Sequence, residues 1–217
     1  MDPVKFAIFA ELAILRFVGD GVLTVLAIST AAILLSLPVA VALALGRLST
    51  RPLVRLPSIA FIEAIRAVPL LLLIFYVFLN VPGQVVLVSR EALALTLALL
   101  IYTAAINAET LRSGILALDR GQMEAARSLG LGYFMAMRFV ILPQALRNTL
   151  PPLIAQFTTL VKDTSLGSVI SMLELLQRGV IIYQGFRNPM ETLYVIALVY
   201  FALNFVLEQA SLATQRG

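Results

Sequence analysis

The chain has 217 residues, of which 60% are hydrophobic and only 13% are charged, and its mean hydropathy is +0.97. A soluble domain has roughly a quarter charged residues, so this composition indicates a membrane protein. Cysteine and histidine are absent, which excludes disulfides, thiolate or imidazole metal sites and histidine-based catalysis. The net charge of +4 is spread over loops without clustered aromatic residues, so it does not indicate nucleic-acid binding.

The first segment, residues 3–18, alternates apolar and charged positions at helical spacing. This pattern predicts either an amphipathic helix on the membrane surface or an extension of the first membrane span. Lys5 is the only early cation and Glu11 interrupts the apolar run, so we do not interpret the segment as a signal peptide.

Five segments are apolar enough to cross a bilayer, which requires about 20 helical residues. We predict spans over 20–46, 57–80, 91–116, 139–164 and 189–209. The linkers between them are short, and there is no clear internal repeat. The sequence therefore predicts an all-α, polytopic membrane protein with about five transmembrane helices, forming a single transmembrane domain over residues 1–217.

The predicted second and third spans contain charged residues, which are costly in a membrane and often functional. Glu63 and Arg66 lie three residues apart on one helical face and can pair, and so can Glu109 and Arg112. Arg66 is accordingly either a substrate contact or half of a structural ion pair. Asn107, in the third span, is a further candidate contact with a substrate.

Between the third and fourth spans the sequence predicts a short, well-capped helix. Asp119 is a suitable N-cap, with Gln122 three residues later as its capping-box partner. Leu118 and Met123 occupy the positions of a hydrophobic staple. The helix is too short to span a bilayer, so we expect a docking element for another subunit in the loop at about residues 117–138.

Gly130 and Gly132 are expected to end this helix. The tripeptide Glu124-Ala125-Ala126, then Gly130, then Val140-Ile141-Leu142-Pro143 resembles the EAA signature of the membrane subunits of ABC importers, with valine where the family usually has isoleucine. The resemblance implies that this loop is the coupling helix, which inserts into a cleft of a separate ATPase. The implied contact residues are Gln122, Glu124, Ala125, Ala126 and Gly130.

The fourth predicted span contains Pro151-Pro152, which we expect to break the helix, and a broken helix at membrane depth usually lines a cavity. Lys162, Asp163 and Thr164 follow, with both signs of charge and a hydroxyl, and Gln156 lies two turns upstream of Asp163. This set is a candidate amino-acid site. The alternative is a helix end in which Asp163 or Thr164 caps a short helix over 168–176.

The cations indicate the orientation, because cytoplasmic loops are rich in arginine and lysine. Two loops that fall on the same side carry most of the arginines: Arg47, Arg51, Arg55, Arg112, Arg120, Arg127, Arg138 and Arg147. The opposite loops contain only Arg90, Arg178 and Arg187. We therefore expect the EAA loop and the C-terminus in the cytoplasm and the N-terminus outside.

Two further segments are similar to the polar-amino-acid branch of these permeases. They are the run around Glu63-Ala64-Ile65-Arg66, where Ala67-Val68 replaces the usual Gly-Thr, and Lys162-Asp163-Thr164-Ser165-Leu166, which resembles permeases for acidic amino acids and their amides. The implied fold is that of a type I ABC importer permease. The implied partners are ATPase subunits that bind ATP and Mg²⁺, a second permease copy or paralogue, and an external substrate-binding protein.

The resemblance places the chain in the bacterial inner membrane as a non-catalytic subunit. No phosphate-binding GxxxxGK[ST] loop is present, so the chain has no such site for ATP, and no cofactor or metal is expected in it. The alternatives are a permease for basic amino acids or another small solute, a passive channel, and a membrane scaffold without a transport path.

Overall fold

The computed structural model describes residues 3–83 and 88–215, and all regular secondary structure in these ranges is helical. The chain divides into two compact units. The first unit consists of Met1–Leu34, Pro69–Leu100 and Phe157–Gly217, and the second consists of Leu35–Val68 and Ile101–Gln156.

The α-helices of the described ranges are, in chain order, α1 (Leu12–Arg47), α2 (Pro52–Ala67), α3 (Leu70–Asn80), α4 (Arg90–Leu116), α5 (Arg120–Ser128), α6 (Tyr133–Ala136), α7 (Leu142–Asp163), α8 (Leu175–Phe186) and α9 (Pro189–Gln215). Short 3₁₀ helices occupy Pro3–Ala10 and Thr164–Ile170, and Met137–Ile141 is a π-helical turn between α6 and α7.

In the described residues, α1, α4 and α9 are each long and apolar enough to cross a membrane. Two broken helix pairs bring the number of candidate spans to as many as five. The all-helical, multi-span class predicted from the sequence is confirmed.

The predicted second span over 57–80 is not one continuous helix. Helix α2 ends at Ala67, Val68 is extended with φ −86° and ψ 131°, and α3 begins at Leu70. Pro69 explains the break, because proline disfavours the helical conformation of the preceding residue and has no N–H to donate. With 16 and 11 residues, neither helix reaches the length of a span alone.

For residues 3–18 the sequence allowed either a surface helix or an extension of the first span, and the structure distinguishes the two. Helix α1 is continuous from Leu12, so residues 12–18 extend the first span. Pro3–Ala10 forms a separate 3₁₀ helix, and the ring of Phe6 packs edge-on against Tyr194 of α9 at 6.4 Å between centroids.

The expectation that Pro151-Pro152 breaks the fourth segment is wrong. Helix α7 runs through both prolines to Asp163. The prolines cannot donate hydrogen bonds to the carbonyls of Arg147 and Asn148, four residues earlier. Membrane helices tolerate such losses where packing against neighbouring helices or other donors compensate.

The interruption comes later in the chain, after α7. The 3₁₀ helix Thr164–Ile170 ends at Ser171, which has a left-handed backbone with φ 59°. The next α-helix begins at Leu175 and is capped by Glu174, whose carboxylate accepts from the N–H groups of Leu176 and Gln177. The predicted helix over 168–176, capped by Asp163 or Thr164, is therefore not formed.

The core of the first unit consists of aliphatic side chains from α1, α7, α8 and α9. Its buried members are Val18, Val25, Val161, Leu175, Ile182 and Ile196. Their burial joins the N-terminal half of α1 to the C-terminal helices.

The core of the second unit has smaller side chains. Its buried members are Ala40, Ala44, Ile62, Ala108, Leu111 and Leu153. Small residues let membrane helices approach closely. Gly114 shows how close, because a Cβ at this position would overlap the side chain of Thr149 on α7.

Candidate functional site

The loop after α4 forms the short capped helix that the sequence predicts. Asp119 Oδ1 accepts a hydrogen bond from the Gly121 N–H at 2.9 Å, which confirms the N-cap. The side chain of Gln122 accepts from Gln144 Nε2 of α7 at 3.3 Å and so connects α5 to α7. The predicted capping-box bond from the Gln122 side chain to the Asp119 N–H is not among the hydrogen bonds of the described residues.

Helix α5 ends in a Schellman motif. The Gly130 N–H donates to the Arg127 carbonyl at 3.0 Å, and the Leu131 N–H donates to the Ala126 carbonyl at 3.2 Å. Gly130 has φ +84°, a conformation that glycine adopts without strain. Gly132 does not end this helix, because its φ of −65° makes it the first flanking residue of α6.

One face of α5 packs against the rest of the second unit, and the other face is exposed. Ala126 is buried, and Met123 packs with Leu118 on a small core formed by residues including Met137 and Ile141. Gln122, Glu124 and Ala125 are exposed, as are Leu129 and Gly130 directly after the helix. This exposed face is suited to a protein partner.

The second unit contains a network of ion pairs, here called the arginine–glutamate cluster (Arg47, Glu63, Arg66, Glu109 and Arg112). Arg47 is the central member, because its guanidinium lies 2.7 Å from Glu63 and 3.0 Å from Glu109. The predicted helical pairs are both present. Glu109 contacts Arg112 at 3.1 Å, whereas Glu63 and Arg66 are 4.0 Å apart.

Arg66 is the least neutralised member of this cluster. Its side chain is 44% exposed, and its pairing with Glu63 is at the distance limit of a salt bridge. The cluster as described has three guanidinium groups and two carboxylates, so one positive charge is left over, and it is most available on Arg66.

Arg66 borders an open cavity of about 580 Å³ in the second unit. The cavity is also lined by Glu109, Ser113 and Asn148, with Gly114, Thr149 and Pro152 at its walls. The predicted site residue Arg66 therefore lies beside Ser113 and Asn148, which the sequence did not single out. The spacing of Ser113 four residues after Glu109 is the signal that could have identified it.

Asn107 is fully buried in α4, and neither its amide nitrogen nor its carbonyl oxygen has a hydrogen-bond partner. Thr103, one turn earlier, is also buried with an unpartnered hydroxyl. Asn107 does not line the cavity beside Arg66. Gln156, in α7, is half-buried.

The remaining predicted residues, Lys162, Asp163 and Thr164, belong to the first unit. Lys162 is exposed and Asp163 is half-buried. Thr164 is fully buried, and its hydroxyl donates to the Val161 carbonyl at 2.7 Å. The hydroxyl of Thr164 is therefore used in a hydrogen bond to the end of α7.

Thr164 is part of a second polar group, here called the Glu174 cluster (Glu174, Tyr200 and Thr164). The Tyr200 hydroxyl donates to Glu174 Oε2 at 2.8 Å and also interacts with Thr164. Glu174 has no exposed surface and accepts two further hydrogen bonds from backbone N–H groups. Its carboxylate oxygens are therefore used in hydrogen bonds that stabilise the fold.

The fold is similar to that of a solved structure entitled "Crystal structure of an amino acid ABC transporter with histidines". The two chains are 29% identical with a TM-score of 0.86, over 100% of this chain and 98% of the other. The fold and the capped loop thus define the membrane permease of an ABC transporter.

The sequence comparisons make the assignment specific. The chain belongs to the family described as binding-protein-dependent transport system inner membrane component, which matches residues 32–211. It is 38% identical to a probable glutamine ABC transporter permease protein, GlnP, of Bacillus subtilis (strain 168), over 91% of each chain.

A second relative is the glutamate/glutamine/aspartate/asparagine transport system permease protein BztC of Rhodobacter capsulatus. It is 36% identical over 90% of this chain and 46% of its own length. Together these similarities show an amino-acid ABC transporter permease, a helical multi-pass membrane protein, as the sequence analysis predicted.

Proposed function

We propose that this permease carries polar amino acids, namely acidic amino acids or their amides, as the translocation subunit of an ATP-driven importer. The observation that carries this proposal is the cavity of the second unit, where Arg66 presents an incompletely neutralised guanidinium beside the polar side chains of Ser113 and Asn148. The names of the two relatives, which refer to glutamine, glutamate, aspartate and asparagine, support the same substrate class.

The charge of the cavity favours a carboxylate. Glu109 is paired with both Arg47 and Arg112, so it is not free to bind a cationic ligand, whereas Arg66 is only weakly paired. Removing a charged group from water is costly unless a partner replaces the lost hydration, so a substrate carboxylate gains most beside Arg66. Asn107, Gln156, Lys162 and Asp163 remain further candidate contacts, whereas Thr164 is proposed to be structural.

We further propose that the exposed face of α5 binds an ATPase subunit, which holds ATP and Mg²⁺. The proposed assembly also contains a second permease, identical or paralogous, and an external substrate-binding protein. The N-terminus lies outside and the C-terminus lies in the cytoplasm, because only then does the arginine-rich side reach a cytoplasmic ATPase.

The substrate is tested by ATP-driven uptake of labelled glutamine into proteoliposomes that contain the complete transporter. Competition by glutamate, aspartate and asparagine is expected, and leucine, arginine and a sugar should compete poorly. The affinity of the binding protein alone is measured in parallel, so that its selectivity is separated from that of the permease. A preference for arginine favours the alternative, a permease for basic amino acids, and contradicts the proposal.

The ATPase contact is tested by Glu124→Lys and Gly130→Pro. The first reverses an exposed charge of α5, and the second cannot adopt the φ of +84° at Gly130. Both variants should lose uptake and stimulation of ATP hydrolysis while the spans still insert. Gly132→Ala is the matched control, because Gly132 has negative φ and open space for a Cβ. Full stimulation in both variants would overturn this assignment.

A further inference from the structure

The second unit contains a groove of about 960 Å³ that is separate from the cavity beside Arg66. Its walls are apolar and come from the end of α1 on one side and from α6 to α7 on the other. They include Val41, Leu45, Leu48, Phe134, Met137 and Leu142. The positions from Val41 to Leu48 span about two helical turns, which corresponds to about 10 Å of apolar wall.

The mouth of the groove has a different character. Arg51 and Arg138 line it together with Ser49 and Thr50. Both arginines are exposed, and within the described residues neither forms an ion pair with a carboxylate. Helix α2 begins directly after Arg51, which is its N-cap residue and makes no side-chain cap, so the positive end of the helix adds to the field of the arginines.

The position along the chain fits a membrane interface. The candidate span of α1 ends at Arg47, so the apolar wall lies in the last two turns of the span and the arginines come directly after it. Tyr133 and Phe134 on the other side are exposed aromatic residues, a type enriched where hydrocarbon meets head groups.

We propose that this groove binds an anionic phospholipid, with an acyl chain along the apolar wall and the phosphate between Arg51 and Arg138. The complementarity is twofold. The apolar wall matches a hydrocarbon chain, and two guanidinium groups that have no carboxylate partner among the described residues, together with two hydroxyls, match a phosphate. This inference needs only the membrane location of the chain and does not depend on the proposed substrate.

The test uses the assembled transporter in nanodiscs with a phosphatidylglycerol that carries a photoreactive acyl chain. Cross-links are expected in peptides from 41–48 and 133–142, and excess phosphatidylglycerol should compete better than phosphatidylcholine. The double variant Arg51→Gln/Arg138→Gln should weaken phosphatidylglycerol binding roughly 25-fold, because each arginine is expected to contribute about fivefold. Ala42→Phe, which fills the groove from its wall, should reduce cross-linking for either head group.

The matched control is Arg55→Gln/Arg147→Gln, which removes the same charge from exposed positions outside the groove. An equal loss in both double variants would overturn the proposal, since it would reflect general attraction to the membrane surface. Cross-linking to the isolated permease but not to the assembled transporter would also overturn it, because a protein partner would then cover the groove. Displacement by glycerol phosphate alone would show a site for phosphate and not for lipid.

Discussion

The arginine–glutamate cluster and the Glu174 cluster are both polar groups in an apolar protein, but they differ in burial and in how completely their charges are paired. In the Glu174 cluster the carboxylate has no exposed surface, and three donors satisfy it. In the arginine–glutamate cluster Arg66 is 44% exposed on a cavity and is only weakly paired. A buried, satisfied group stabilises the fold, whereas an exposed and incompletely paired charge is available to a ligand.

The largest expected effect is on stability, from Glu174→Ala. The substitution removes the cap of α8 and leaves the Tyr200 hydroxyl without its acceptor, which should destabilise the protein by about 3 kcal/mol. Thermal unfolding in detergent measures this loss. Tyr200→Phe, which removes only one hydrogen bond, should cost about 1 kcal/mol. If Glu174→Ala kept the melting temperature of the unsubstituted protein but raised KM for uptake, the distinction between the two clusters would be wrong.

Arg66→Gln should affect transport and not folding. Losing one charge-assisted hydrogen bond to the substrate carboxylate should raise KM roughly tenfold. The melting temperature should change little, because the side chain is exposed and its ion pair is long. Arg112→Gln is the matched control, since Arg112 is paired with Glu109 at 3.1 Å and does not line the cavity. An unchanged KM in Arg66→Gln, measured by uptake, would contradict the proposed site.

Thr164→Val distinguishes a structural hydroxyl from a substrate contact. Valine has nearly the same shape but cannot donate to the Val161 carbonyl, so a loss of about 1 kcal/mol in stability is expected with KM unchanged. Thr164→Ser should restore the stability. A raised KM in Thr164→Val together with a normal melting temperature would instead favour the direct substrate contact considered from the sequence.

The smallest effect is expected within the arginine–glutamate cluster, from Glu63→Gln. The Glu63 side chain is 53% exposed, so its interaction with Arg47 is screened by water and salt. Glu109→Gln should be more destabilising, because Glu109 is only 17% exposed and faces two arginines. Thermal unfolding at low and high salt measures both, and a larger effect at Glu63 would show that burial does not rank these pairs.

Local chemistry made the short helix α5 predictable. The cap at Asp119 and the left-handed glycine at Gly130 depend on residues within one turn of each other, and the structure has both. The two proline sites were not distinguishable in the same way. Pro69 ends α2, whereas Pro151 and Pro152 lie inside α7, which continues to Asp163. The difference depends on neighbours that a local pattern does not contain.

The sequence by itself determined the helical membrane class, the approximate spans, the capped loop and the two intrahelical ion pairs, because these follow from hydropathy and from spacing within one helix. Only the tertiary structure decided that Arg47 joins Glu63 to Glu109, that Asn148 and Ser113 lie beside Arg66, and that Thr164 is buried against Tyr200. These residues come from different helices, which pack closely through small residues. The spacing of Arg47, Glu63 and Glu109 along the chain therefore does not show that their side chains meet.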